Sequence, residues 1–149
     1  MAAAYAAGIF FYIVKVHKMN ESDILNRSEA LERLGGDDGL YQALLNAFLD
    51  EYKNNPNELI RLKAVLSGNG DALLKTESET LCKEAHKIKG AAYTIGANAL
   101  GNAALALESF FKDKNNRISE KNISAITPLL NNFSEAYEKT MSEIGKTPV

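Results

Sequence analysis

Residues Ala85-His86-Lys87-Ile88-Lys89-Gly90-Ala91-Ala92-Tyr93-Thr94-Ile95-Gly96-Ala97 have one apolar direction and one polar direction. At about 100° per residue, Leu81, Ala85, Ile88, Ala92 and Ile95 fall within about 40° of one direction, which is the apolar stripe of a helix packed in a bundle. His86 points about 140° away from that stripe. Lys89 and Gly90 flank it one turn on, because residues three and four apart are neighbours on a helix surface. The spacing therefore predicts an imidazole that meets solvent, with a cation and bare backbone beside it.

Gly90 falls in mid-helix, where glycine costs about 1 kcal/mol relative to alanine, so local stability does not select it. Missing bulk is the simplest reason: without a side chain at Gly90, another protein's active site can approach His86 closely. The Lys89 ammonium can then screen the charge of an arriving phosphoryl group. Lys87 points about 100° away from His86 and takes a lesser part. Gly96-Ala97 reads as a helix stop and turn. Leu100, Ala104, Leu107 and Phe111 make a second apolar stripe, so the two helices form an αα-hairpin. His86 and Glu108 are each eleven residues from Ala97, which puts them at nearly the same height, with Glu108 about 80° off its own stripe. A carboxylate there is placed to accept the proton of one ring nitrogen, fixing the tautomer and freeing the other nitrogen to attack phosphorus.

From Leu31-Glu32-Arg33-Leu34-Gly35-Gly36-Asp37, through His86-x-x-Lys89-Gly90, to Leu107-Glu108 and more loosely to the last helix, the chain resembles the histidine-containing phosphotransfer (HPt) domains of bacterial multistep phosphorelays. The most specific part is His-x-[apolar]-Lys-Gly-[small]-[small], followed by Ile95-Gly96-Ala97 and a downstream Leu-Glu. The resemblance implies an up-down helical bundle whose histidine takes a phosphoryl group from a receiver-domain aspartate and hands it to another. It implies that Lys89 assists the phosphate, Gly90 gives clearance and Glu108 hydrogen-bonds the histidine. Many relay members carry glutamine where Glu108 stands, and glutamate is also found there in chemotaxis-type kinases.

The 149 residues suit one domain with a real core. Apolar residues make up 46% and charged residues 24%, near the globular average, and a net charge of -2 gives no reason to expect a nucleic-acid partner. The single cysteine, Cys82, excludes an internal disulfide and a multi-cysteine metal site, and fits a reducing cytoplasm. His17 and His86, sixty-nine residues apart, have no metal-ligand spacing, so no metal is expected.

Residues 1–18 form a separate apolar segment, uncharged from Ala2 to Val14 and followed by Lys15, His17 and Lys18. Thirteen uncharged residues fall short of the about 20 that span a bilayer, and neither the charge before nor the cleavage site after a secretory signal is evident. The segment reads as an extra helix, a tail or, only if residues 1–16 are an anchor remnant, a membrane attachment. The bundle proper is expected over 19–149, with Met19-Asn20-Glu21-Ser22 as its natural beginning.

Within it, Ser28 is placed to cap a short helix through Ala30, Leu31 and Leu34 that ends at Gly35-Gly36. Asp37 or Asp38 opens a helix with Leu40, Leu44, Ala47, Phe48 and Tyr52 as its stripe. Asn54-Asn55-Pro56 marks a break, Leu59, Leu62, Val65 and Leu66 continue the helical pattern, and Ser67-Gly68-Asn69-Gly70 is a turn. A short helical piece follows from Ala72 to Lys75, and the histidine helix starts near Ser78. The last helix runs from about Ser119 to Ile144 on Ile123, Ile126, Leu130, Phe133, Tyr137, Met141 and Ile144. Pro128 either bends it near Thr127 or marks its true start. The class is all-α: an up-down four-helix bundle with extra short N-terminal helices.

Gly145-Lys146-Thr147 lacks the earlier glycine of a P-loop, with Thr140 in its place, and has no strand before it. No nucleotide site, cofactor or kinase activity is expected. The leading function is a phosphocarrier whose partners are receiver domains of hybrid histidine kinases and response regulators, with any metal ion on the receiver. Tyr93, about 120° from its stripe, and Lys87 are candidates for receiver docking. Two rivals stand: the phosphoacceptor domain of a chemotaxis-type kinase, fed by ATP on a separate domain, and an adaptor that binds receivers without being phosphorylated.

Overall fold

Seven helices and no strand make up the described residues, 20–53, 57–68, 78–113 and 123–146, of the computed structural model. They are α1 (Glu21–Ile24), α2 (Arg27–Arg33), α3 (Asp38–Lys53), α4 (Glu58–Gly68), α5 (Ser78–Thr94), α6 (Asn98–Lys112) and α7 (Ile123–Lys146). The four later helices close a ring: α5 and α6 pack along their length, α7 lies on α6, and α4 touches both α7 and α5. The chain is thus an all-α bundle with short helices at its N-terminal side. Among the described residues no helix is long and apolar enough to cross a membrane. The expectations for 1–18, Asn54-Asn55-Pro56, Asn69-Gly70, Ala72 to Lys75, Ser119 and Thr147 lie outside the described residues, as do those for the side chains of Val65, Leu66 and Ile123.

The α5 stripe is the centre of the core. Leu81, Ala85, Ile88, Ala92 and Ile95 are buried, and so are Leu100, Ala104, Leu107 and Phe111 facing them from α6. Each fully buried Leu or Ile contributes about 1.5–3 kcal/mol, so these two stripes alone fix the rotation of both helices. The turn between them is equally determined. Ala97 N–H donates to Ala92 O at 2.8 Å and Gly96 N–H to Tyr93 O at 3.2 Å, the paired bonds of a Schellman stop. Gly96 takes φ 81°, a left-handed conformation that disfavours any Cβ.

The N-terminal helices complete that end of the bundle. Asn26 N–H donates to Gly96 O at 2.8 Å, the Arg33 guanidinium to Tyr93 O at 2.6 Å, and the buried Tyr41 hydroxyl to Ile95 O at 2.8 Å. Carbonyls around this helix end thus find donors in α2 with its cap Asn26 and in α3.

Four boundaries or faces differ from the sequence reading. Asn26, not Ser28, caps α2, its side chain accepting from Glu29 N–H. The stripe of α3 is rotated by one residue: Tyr41, Leu45, Phe48 and Tyr52 are buried, whereas Leu40 is 45% exposed and Ala47 lies in solvent. Tyrosine hides its ring and still satisfies its hydroxyl on a backbone carbonyl, which is why Tyr41 outcompetes Leu40 for the inside. Helix α4 includes Ser67 and Gly68, so no turn begins there. Pro128 sits inside α7, which starts at Ile123, so the helix does not begin at Thr127. The proline leaves the carbonyl of exposed Ser124 without its usual helical donor, a small loss where water can replace it.

A Cβ at Gly96 would collide with the carbonyl oxygen of Asn26. Gly96→Ala is expected to destabilise the fold by about 2–4 kcal/mol through the left-handed backbone and this overlap. Urea unfolding of the two proteins measures it, and a midpoint shifted by less than the equivalent of about 1 kcal/mol would contradict the role given to this turn.

Candidate functional site

The close packing of α5 on α6 depends on small residues. Ala85 and Ala92 face the seam from one side and Ala103 and Ala104 from the other, and at Gly101 the Tyr93 ring occupies the space that a Cβ would need. The Tyr93 hydroxyl donates to Asn102 Oδ1 at 2.7 Å, clipping the ring to α6. With the hairpin in this register, His86 and Glu108 meet: His86 Nδ1 lies 2.9 Å from Glu108 Oε2. The two side chains live in opposite environments, His86 being 69% exposed and Glu108 only 3%.

A carboxylate in that position is costly unless it is paired and hydrogen-bonded. Among the described residues Glu108 has three donors. Lys89 Nζ is 3.0 Å from Oε2 and 3.2 Å from Oε1, Lys112 Nζ is 2.8 Å from Oε1, and the imidazole supplies the third. Burial by itself pushes the carboxyl's pKa upward, but hydrogen bonds from Lys112, Lys89 and His86, with the charge of Lys89, outweigh it and bring it down to about 2. Glu108 is therefore ionised at neutral pH and can only accept. The ring nitrogen facing it must carry the hydrogen, so a neutral His86 has Nδ1–H and an unprotonated Nε2.

Lys89, 21% exposed, begins one turn from His86 and ends on Glu108. Gly90 is exposed, and a Cβ built on it meets nothing within 4 Å. Among the described residues, nothing in the packing excludes a side chain there. Lys87 turns to the other flank of α5 and pairs with Glu51 of α3 at 2.7 Å, a contact that raises its pKa. It stands at the rim of a groove of about 320 Å³ between α3 and α5, lined by Leu44, Ala47, Phe48, Ala91 and Ile95 among others. Tyr93 lies on the α6 side, so Lys87 and Tyr93 do not share a flank. Cys82 is half-buried at the edge of the seam, its thiol 3.8 Å from Glu108 O. Among the described residues no three His, Cys, Asp or Glu side chains gather as a metal ion would require.

Lys112 is absent from the sequence reading although the signal was there: it stands four residues after Glu108, the spacing at which opposite charges meet on one helix.

A protein-family model described as the Hpt domain matches residues 43–137, from α3 to α7 and across the whole constellation. The chain belongs to the Hpt domain family. No curated protein and no solved structure gave a match. Membership gives the chain a histidine phosphotransfer role in two-component phosphorelays. Hpt domains are phosphocarriers without a catalytic ATP site, and they interact with receiver domains.

The depressed pKa of Glu108 has a consequence for acid stability. Its folded value of about 2 lies below the ordinary 4.5, so its contribution is complete above pH 4.5 and is lost as the pH falls toward 2. Urea midpoints between pH 4.5 and 2 are expected to fall more steeply in the native chain than in Glu108→Gln. Equal slopes would mean that the carboxylate is not held as described.

Proposed function

We propose that this chain is a phosphocarrier that takes a phosphoryl group on His86 from a receiver-domain aspartate and passes it to a second receiver. The observation that carries this reading is the hydrogen bond from His86 Nδ1 to an ionised Glu108, which leaves Nε2 with its lone pair on the exposed side of the ring. The family match supports it, because His86 is the one histidine within residues 43–137.

In the proposed step, Nε2 of neutral His86 attacks the phosphorus of an aspartyl phosphate. The N–P bond forms as the P–O bond to the aspartate breaks, and the aspartate leaves as a carboxylate. The proton on Nδ1 stays on the ring, where Glu108 offsets the positive charge that the imidazole gains. Return transfer to a second aspartate reverses these changes. The divalent ion and most of the charge stabilisation come from the receiver, and this chain brings a positioned nucleophile, a cation and an open approach. Lys89 is the cation assigned to the phosphoryl oxygens. Gly90 supplies clearance, in keeping with the empty space around its Cα. Lys87 with the groove beside it, and Tyr93 on the opposite flank, are the surfaces assigned to receiver docking. The partners proposed are receivers of hybrid histidine kinases and of response regulators, in the cytoplasm.

The glutamate at 108 is the feature that favours the rival donor, ATP held on the kinase domain of a chemotaxis-type system. Labelled phosphoryl supplied on purified receivers, against labelled ATP with candidate kinases, separates the two. His86→Gln is expected to abolish labelling of this chain by phosphorylated receivers, and relay from one receiver to the other should cease with it. Relay that persists in that variant would leave only the adaptor reading.

Gly90→Ala divides the two demands on its helix. Alanine should stabilise the fold by about 0.5–1 kcal/mol and slow transfer from a phosphorylated receiver, because its methyl group stands where the partner approaches. Thermal unfolding and transfer rates measured on one preparation test this. A faster or unchanged transfer rate in the more stable variant would remove the clearance role.

A further inference from the structure

Glu108 has more positive charge around it than its own neutralisation requires. One carboxylate meets two ammoniums, from Lys89 and Lys112, so the constellation around a neutral ring carries one surplus positive charge. The two lysines differ in setting: Lys89 is 21% exposed and hydrogen-bonded to both carboxylate oxygens, whereas Lys112, at the end of α6, is mostly in solvent and holds Oε1 alone. We propose that Lys112 is a positioning residue for phosphotransfer, which keeps Glu108 paired so that Lys89 can leave the carboxylate for the phosphoryl oxygens and so that His86 stays neutral. This rests on the phosphocarrier reading of His86.

The physical reason is the burial of Glu108. If Lys89 turned to an incoming phosphoryl group in a chain without Lys112, a buried carboxylate would keep only the imidazole as a donor, and a buried charge left without a cation is strongly disfavoured. Lys89 would be held back. The same unpaired carboxylate would favour the imidazolium form of His86, whose Nε2 has no lone pair to give. With Lys112 in place, the carboxylate exchanges one ammonium for the phosphoryl group and keeps the other. The transferred group adds one negative charge to the site and cancels the surplus.

Among the described residues, the charged and titratable groups around His86 are few. From α6 they are Glu108 and Lys112. From its own helix, at three or four residues' distance, they are Lys83, which pairs with Glu79, Cys82 and Lys89, while Lys87 is turned to Glu51 of α3. Lys112 reaches the ring through Glu108, so its effect must appear both in transfer and in the ring's own titration.

The test uses the full chain with Lys112→Gln and Lys112→Arg, two measurements on each. The first is the maximal rate of His86 labelling at saturating phosphorylated receiver; the second is the ionisation of the His86 ring followed by nuclear magnetic resonance without any donor. Lys112→Gln should label about tenfold more slowly, with the ring titrating at higher pH, and Lys112→Arg should restore both. An unchanged rate overturns the assignment. A slower rate with an unmoved ring titration also overturns it, since loss of a docking charge would do the same. Absence of label on His86 in the native chain would instead refute the phosphocarrier reading, and the two failures are thereby distinct.

Discussion

An ionised carboxylate enclosed between two helices is the constraint around which this site is built. Glu108 can stay charged in the α5–α6 seam only because donors come to it. Those donors are the side chains to which the proposed transfer assigns its parts. The imidazole is turned so that Nδ1 faces the carboxylate, Lys89 is drawn onto both carboxylate oxygens, and Lys112 closes on Oε1. The result is an imidazole that is mostly in solvent yet has its tautomer set by a buried group. Neither an exposed carboxylate, weakened by water and salt, nor a buried histidine, closed to partners, would give that combination.

The seam exists because the hairpin is tight at one end and lined with small residues along its length. Gly96 lets the chain turn within three residues, and the Asn26 amide, the Arg33 guanidinium and the Tyr41 hydroxyl take up carbonyls around that turn. Helices α2 and α3 therefore act on the site at a distance: they hold the register that puts residue 86 opposite residue 108. A change in the turn by one residue would rotate Glu108 by about 100° relative to its partner.

The elements legible in the sequence were those set by a single periodic pattern. The α5 stripe, the outward histidine, the stop at Gly96 and the common height of His86 and Glu108 all follow from counting residues at helical spacing. What stayed hidden depended on chemistry that counting treats as equal. Leu40 and Tyr41 both offer an apolar side chain at the start of α3, but only Tyr41 has a hydroxyl for Ile95 O, and it takes the inside. Asn26 and Ser28 are both good caps, and the choice falls to Asn26 because its backbone also bonds Gly96 O. Lys112 was hidden for a different reason: its partner's burial, which makes the pairing consequential, is a tertiary fact.

Three glycines on this hairpin separate folding from function. Gly96 is required by its backbone angle and by Asn26 pressed against it, and Gly101 by the Tyr93 ring that fills its side-chain space. Both are answers to the chain's own packing. Gly90 is in ordinary helical backbone with open space around it, so the fold gains nothing from it and loses helix stability to it. A residue that weakens its own helix without relieving any internal crowding is best explained by something that arrives from outside. It sits one turn from the exposed His86 side chain, where the proposed phosphocarrier reading brings a partner in.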